Sequence, residues 1–276
     1  MKSHRNPLLK RFVKFVSPGL SMLIVWFRLT DVIRHYITFL NFLVGRGSGS
    51  GWKLEGEVSI AASLIKRSAP VVFDVGGNVG AWSELFRQKN STGELYIFEP
   101  QPVCQAEIEK KCIENSHLVG MAVGEAAGKL VLYTSSPTDG SASLHKRGDS
   151  FFQHKEYGQQ EVSVVSLDDF IAENRIGFVD FIKFDIEGHE FSALMGLRNA
   201  LAERRIGAFS FEFGSGNLNS RTSFRDFWNL LSADYDLNIV TPSGYLTLLP
   251  AYYEDFEFYR GVSNFIAILK SPVENT

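Results

Sequence analysis

The 276-residue chain predicts an α/β fold: a doubly wound, mostly parallel sheet, with an inserted β-hairpin and an N-terminal helical appendage. Three observations predict it. Val71-Val72-Phe73-Asp74-Val75 is a buried-strand pattern that breaks into the glycine-rich turn Gly76-Gly77-Asn78-Val79-Gly80. Leu95-Tyr96-Ile97-Phe98 repeats the design and closes on Glu99 and Pro100. Around these runs strand patterns alternate with helix patterns, as in a parallel sheet covered on both faces. With 45% hydrophobic residues the chain can bury a full core, so residues 52–276 are read as one domain and residues 1–51 as the appendage with its linker.

Each element follows in order. Between Phe12 and Val44 the sequence is rich in Phe, Leu, Ile, Val and Trp, preceded by Lys2, Arg5, Lys10, Arg11 and Lys14. Its longest uncharged run, Phe15 to Phe27, contains Pro18 and Gly19 and falls short of the roughly 20 apolar residues a spanning helix needs. No small-x-small cleavage site follows it, which argues against a signal peptide. Residues 1–45 therefore read either as an interfacial helix with basic flanks, in peripheral membrane contact, or as a helix packed on the enzyme or on a second subunit. Gly45-Arg46-Gly47-Ser48-Gly49-Ser50-Gly51 reads as a flexible linker. Residues 52–68 form a helix leading into the first strand. A helix over 81–89 follows the glycine turn, then strands over 95–98 and 117–123 separated by a helix over 102–113.

Residues 128–135 and 161–166 predict an inserted antiparallel pair, and the excursion between them holds the small polar run Thr138-Asp139-Gly140-Ser141-Ala142-Ser143-Leu144. That run suits either a ligand-facing loop or a solvated turn. The main sheet resumes over 178–185, continues over 208–213 and closes over 237–240 and 263–269, with helices over 189–203 and 224–233.

Two parallel strands that both end on acids suggest a nucleoside-containing ligand in the crevice of an open sheet. A dinucleotide fingerprint, G-x-G-x-x-G, fails here, because Asn78 and Ala81 stand where its second and third glycines belong. A nicotinamide oxidoreductase is disfavoured accordingly. The segment fits D-x-G-x-N-x-G instead, with Gly76 and Gly80 for a tight turn and Asp74 as an acceptor beside the ligand. A pyrophosphate wants amide donors and no carboxylate, whereas the ammonium and sulfonium of S-adenosylmethionine are stabilised by one. Glu99 can accept hydrogen bonds from both ribose hydroxyls. The competing reading is that Asp74 and Glu99 merely terminate their strands.

In Ile182-Lys183-Phe184-Asp185-Ile186-Glu187-Gly188-His189-Glu190, alternation puts Lys183, Asp185 and Glu187 on one face if the strand persists that far. Lys183 would then hold the two carboxylates ionised. Where a proton has to be moved at that edge, Asp185, Glu187 and His189 are the candidate bases. An ion-pair cluster without catalytic duty is the plainer alternative, and His189 also suits a helix cap. Glu212 adds a further acid at the ligand edge. The acids form no complete ligand set, so no metal is assigned.

The formal net charge of -3 hides an asymmetry. Residues 1–50 carry eight Lys or Arg and one acid, Asp31, so the remainder carries -10, which disfavours nucleic acid as a partner. The two cysteines, Cys104 and Cys112, lie in one predicted helix about 12 Å apart, too far for a disulfide, and are expected to be buried and reduced. Reduced thiols agree with a cytoplasmic enzyme.

Taken together, Asp74-Val75-Gly76-Gly77-Asn78-Val79-Gly80, Phe98-Glu99-Pro100, Ala122-Val123-Gly124, Ser166-Leu167-Asp168-Asp169-Phe170, the block Ile182 to Glu190 and Asn264-Phe265-Ile266-Ala267 resemble the FkbM family of methyltransferases. The resemblance covers about Pro70 to Lys270. Gly77 departs from it, standing where the family more often has alanine. The family likeness implies the class I, Rossmann-like fold with seven strands, the last antiparallel, and S-adenosyl-L-methionine as cofactor. It implies O-methylation of a hydroxyl on a glycan or small-molecule secondary metabolite. The matching positions imply a cofactor site of Asp74, Gly76, Gly77, Asn78, Gly80, Glu99, Pro100 and Ala122, and a reaction site of Asp185, Glu187 and His189. A noncatalytic protein that keeps the cofactor crevice remains the rival from another class.

Overall fold

In the computed structural model, which describes residues 7–47, 49, 54–146, 156–257 and 261–271, the chain divides into two units, Met1–Leu43 and Val44–Thr276. The first unit holds two helices, α1 (Pro7–Trp26) and α2 (Thr30–Leu43). The second runs α3 (Leu54–Leu64), β1 (Val71–Val75), α4 (Ala81–Lys89), β2 (Glu94–Phe98), α5 (Pro102–Lys111), β3 (Ser116–Val119), β4 (Ala122–Val123), β5 (Gly128–Thr134) and β6 (Gly158–Val165). It continues through α6 (Leu167–Glu173), β7 (Val179–Phe184), α7 (Glu190–Met195), α8 (Arg198–Ala202), β8 (Ile206–Phe213), α9 (Ser215–Ser220), α10 (Phe224–Leu231), β9 (Tyr235–Val240), β10 (Leu246–Leu248) and β11 (Ser263–Leu269).

Among the described residues the main sheet has eight strands in the order β10-β9-β11-β8-β7-β1-β2-β3. The expected seven are present, and short β10 adds an antiparallel edge to β9. β1 pairs in parallel with β2 on one side and with β7 on the other, and β11 runs antiparallel between β8 and β9. The chain thus winds outward from β1 through β2 to β3, then returns to β7 on the opposite side. Beside β1 the strand order reverses, which opens a crevice at the carboxyl ends.

Strand alternation feeds two separate cores. Val72, Leu95, Ile97, Phe181 and Ala208 meet Val58 and Ala61 of α3, Trp82 and Phe86 of α4, and Ile108 of α5. The intervening residues Phe73, Val75, Phe98, Ile182, Phe184, Phe209 and Phe211 turn to the other face, towards α6, α7, α8 and α10. Ser166 caps α6 by accepting the Asp169 N–H at 3.1 Å.

Several sequence expectations shift. The strand over 117–123 divides: β3 stays in the main sheet, and β4 pairs with β6 in a three-stranded sheet, order β4-β6-β5, that contains the expected hairpin. The helix over 189–203 breaks at Gly196 and Leu197 into α7 and α8, where the Asp168 N–H donates to the Gly196 carbonyl at 2.8 Å and the Asp168 carboxylate accepts the Asn199 and Ala200 amides at 2.9 Å, capping a new helix start. Cys104 is buried, but Cys112 is exposed, since it leaves α5 in the left-handed conformation at the C-cap. The described residues of the expected linker are held within the second unit. A Cβ on Gly45 would lie 2.5 Å from the Val240 carbonyl, Arg46 pairs with Asp255 at 2.7 Å, and the Gly47 and Gly49 amides donate to Ser263 Oγ and the Val262 carbonyl.

Candidate functional site

The site grows from the break after β1. Gly76 has φ +88°, and a Cβ there would sit 2.0 Å from the Asp185 carbonyl, so only glycine lets the turn pass this close to the end of β7. The Gly76 and Gly77 amides both donate to the Phe98 carbonyl, at 3.0 and 3.1 Å, which ties the turn to β2. Asn78, at φ 44°, then donates its N–H to Glu99 Oε2 at 2.8 Å, and the Gln101 N–H donates to Glu99 Oε1 at 2.8 Å. Glu99 is thereby fixed at the strand end with 3% of its surface exposed. Burial pushes its carboxyl up to about 7, against the two amides that favour the ionised form.

A cleft that is partly open to solvent lies above this turn. Gly76, Asn78, Glu99, Pro100 and Gln101 form one wall, and Met121, Ala122 and Val123 form an apolar side. Asp185 and Ile186 border it at the end of β7. Asp139, Gly140, Ala142 and Leu144 of the loop after β5 cover it. That loop is held by Asp139, whose carboxylate accepts both the amides and the hydroxyls of Ser135 and Ser141 at 2.6–2.9 Å. Burial alone would raise the Asp139 pKa; these four donors outweigh it and bring it down to about 2. Residues 147–155 of the excursion lie outside the described residues.

Beneath the turn runs a buried charge network. Lys183 Nζ lies 3.2 Å from Asp74 Oδ1 and 3.2 Å from Asp185 Oδ2, and Ser83 Oγ donates to Asp74 Oδ2 at 2.7 Å. Burial would lower the lysine pKa; the carboxylates of Asp74, Asp185 and Glu57 reverse that and hold it above its ordinary value. Glu57 of α3 and Glu212 of β8 adjoin this network, bordering a smaller hollow with Asp185 and Ser210. Burial pushes Glu57 up to about 7, and burial with the neighbouring acids pushes Glu212 well above the usual carboxylate range.

The block after β7 departs from the expected strand. β7 ends at Phe184, and Glu187 (φ 54°) and Gly188 (φ 99°) turn through left-handed conformations, so the face shared with Lys183 stops at Asp185. The lysine's second carboxylate is therefore Asp74 of the adjacent strand, in place of Glu187. The Glu187 carbonyl accepts Ser143 Oγ at 2.9 Å, which pins the covering loop. His189 does not line the cleft: it is buried, with Nδ1 3.0 Å from Nε2 of His145, one ring donating and the other accepting. Burial and His145 press its pKa down to about 4. Glu190, fully buried, accepts the Ile186 and Gly188 amides through Oε1 and is pushed by burial up to about 8.

Of the residues singled out from sequence, Gly76, Asn78, Glu99, Pro100, Ala122 and Asp185 border the cleft. Asp74, Gly77, Gly80, Glu187 and His189 do not. Asp74 supports the turn from below. At Gly77, Ile97 Cγ2 fills the space an alanine methyl would take, 2.3 Å from the position of a Cβ. Gly80 (φ +74°) opens α4. Sequence reading missed Glu57, Gln101, Met121 and the His145 partner of His189. Only Gln101 carried a local signal, by following Glu99-Pro100 directly.

Residues 74–237 match the model of the methyltransferase FkbM domain. The 2-O-methyltransferase NoeI of Sinorhizobium fredii is 26% identical over 156 residues, 52% of this chain and 64% of NoeI. The hexuronic acid methyltransferase AglP of Haloferax volcanii is 24% identical over 155 residues, 54% of this chain and 59% of AglP. The chain thus spans less than two thirds of either relative's length. An rRNA methylase structure from Streptococcus thermophilus overlays distantly, with 9% identity and a TM-score of 0.44, over 78% of this chain and 95% of that one.

Proposed function

From the premise that this chain belongs to the methyltransferase FkbM domain family, we propose that it transfers a methyl group from S-adenosylmethionine to a hydroxyl of a sugar-containing or other small-molecule acceptor. The observation that carries the reading is Glu99: a carboxylate on the cleft wall, at the end of the strand beside the glycine turn, with each oxygen already anchored by an amide. Its remaining lone pairs suit the two hydroxyls of a ribose. The cleft fits the cofactor in other respects. Met121, Ala122 and Val123 supply an apolar flank for a base, and Gly76 itself presents no side chain to the cleft.

S-adenosylmethionine supplies a methyl group bonded to a positively charged sulfur, ready for displacement by an oxygen nucleophile. The protein's task is alignment, exclusion of water and removal of one proton. Asp185 borders the cleft with its side chain 42% exposed, and in this proposal it takes the acceptor hydroxyl's proton as the new carbon–oxygen bond forms. Lys183 orients that carboxylate. Ser143 on the Glu187 carbonyl and His145 on His189 hold the covering loop, so His189 acts here as a positioning residue. A sugar acceptor is supported by what NoeI and AglP are named for. Nucleic acid is disfavoured by the acidity of the larger unit. The proposal extends to a cytoplasmic setting, supported by Cys104 and Cys112 as free thiols.

The test is incubation with methyl-labelled cofactor and a panel of saccharides that carry free or already methylated hydroxyls. Label recovered as an O-methyl ether, and lost when the hydroxyl is blocked, is the expected result. Tight S-adenosylhomocysteine binding without transfer to any hydroxyl would favour the noncatalytic reading, and stabilisation by a nicotinamide cofactor alone would overturn the assignment.

A further inference from the structure

We infer that α1 and α2 form a basic amphipathic wedge that binds the surface of a membrane containing anionic lipid. Large apolar side chains crowd this unit and face outward. Phe15 is 86% and Trp26 76% exposed, and Phe12, Met22, Val25 and Phe27 are each more than half exposed. Along α2, Val32, Tyr36, Ile37 and Phe39 are likewise exposed, and no residue of that helix is buried. Apolar surface at this density marks an interaction site.

The pattern is interfacial. Lys14, Ser17 and Ser21 recur at helical spacing on α1, and Asp31, His35, Thr38 and Asn41 do so on α2, leaving each helix a polar stripe beside a wide apolar face. Among the described residues no single helix is long and apolar enough to cross a membrane. The pair 11–26 and 30–43 passes that test only together, across a bend of 113° where Arg28 adopts φ 53°. Two amphipathic helices joined at a sharp bend suit a position in the headgroup plane, with Trp26 and Tyr36 as amphipathic anchors.

Charge selects the occupant. Residues 1–43 carry seven Lys or Arg against Asp31 alone, a formal +6, which leaves -9 for residues 44–276 out of the chain's -3. An anionic surface therefore attracts the first unit and repels the larger one. A second copy presenting the same +6 face would be repelled, so self-association through it is disfavoured.

Cosedimentation of the full chain with vesicles tests the inference, using phosphatidylcholine alone and phosphatidylcholine mixed with phosphatidylglycerol. Binding is expected to be at least about tenfold tighter to the anionic vesicles and to weaken severalfold when salt is raised. The triple variant Lys10→Glu, Arg11→Glu, Lys14→Glu should lose the anionic preference. Phe15→Ser with Trp26→Ser should lose binding to both vesicles. S-adenosylhomocysteine affinity, measured by calorimetry, should be unchanged in both variants, which reports that the larger unit is folded. Three results would overturn the proposal: no binding to either vesicle, equal salt-independent binding to both, or a dimer in solution that charge reversal tightens. Should the apolar variant aggregate, the charge-reversal variant decides alone.

Discussion

Lys183 Nζ sits 3.2 Å from Asp74 Oδ1, in a place where the lysine side chain is 5% exposed and the aspartate fully buried. Parallel pairing of β1 with β7 puts the two residues directly opposite each other. The pair supports the glycine turn from beneath, because the same ammonium also donates to the Gly76 carbonyl at 3.3 Å. Replacing Lys183 by methionine keeps the volume and strands the carboxylate, with only the Ser83 hydroxyl left on it. A loss of about 3–5 kcal/mol in unfolding free energy is expected. Chemical denaturation showing less than about 1 kcal/mol of change would mean the pair is not held as described.

Glu99→Ala removes the acceptor on the cleft wall and frees the Asn78 and Gln101 amides. Charge-assisted hydrogen bonds of about 1.5–3 kcal/mol should disappear, a tenfold or greater weakening of S-adenosylhomocysteine binding by calorimetry. Unchanged affinity would remove Glu99 from the cofactor site.

Gly76→Ala combines a left-handed backbone with a methyl driven onto the Asp185 carbonyl. The turn cannot keep its position, so the variant should melt well below the parent and bind cofactor poorly. Comparison with Gly128→Ala is informative, since a Cβ there meets nothing within 4 Å. Similar melting temperatures for the two variants would contradict the close approach described for Gly76.

Stability should fall as pH rises from 6.5 to 8. Glu57 and Glu99 are raised to about 7 and Glu190 to about 8, from 4.5 when unfolded, so their contribution is full below about 4.5 and is lost as pH climbs through those folded values. His189 works in the opposite sense: lowered to about 4 from 6.5, its contribution is full above 6.5 and is lost as pH falls towards 4. Between 6.5 and 8 the carboxylates act unopposed by it, with a slope of at most about 1.4 kcal/mol per pH unit for each proton. Glu190→Gln should flatten the upper part of that slope. A denaturation series that is level over this window, or rises, would contradict the burial of these acids.

Much of the molecule was legible from local pattern. Apolar runs ending on Asp74 and on Glu99 located β1 and β2, since strand periodicity and a glycine break are properties of neighbouring residues. The helix over 81–89 was legible for the same reason, as was the hairpin; the run 138–144 suited a ligand-facing loop and a solvated turn equally, and only the folded chain brings Asp139, Gly140, Ala142 and Leu144 to the cleft. Boundaries fared worse where a distant contact decides them. The helix pattern over 189–203 is interrupted where Asp168, some thirty residues earlier in the chain, caps α8 through the Asn199 and Ala200 amides.

The residue types at the site, a glycine turn flanked by acids and followed by the Lys183 to Glu190 block, were determined by the sequence alone. The tertiary structure decided their partners: Asp74 in place of Glu187 beside Lys183, His145 against His189, and Glu57 brought over the network by α3. Periodicity encodes which face a side chain takes. Which strand lies alongside it depends on the order in which β7 and β1 meet in the sheet, and that order is settled by long-range packing of two cores that no local window contains.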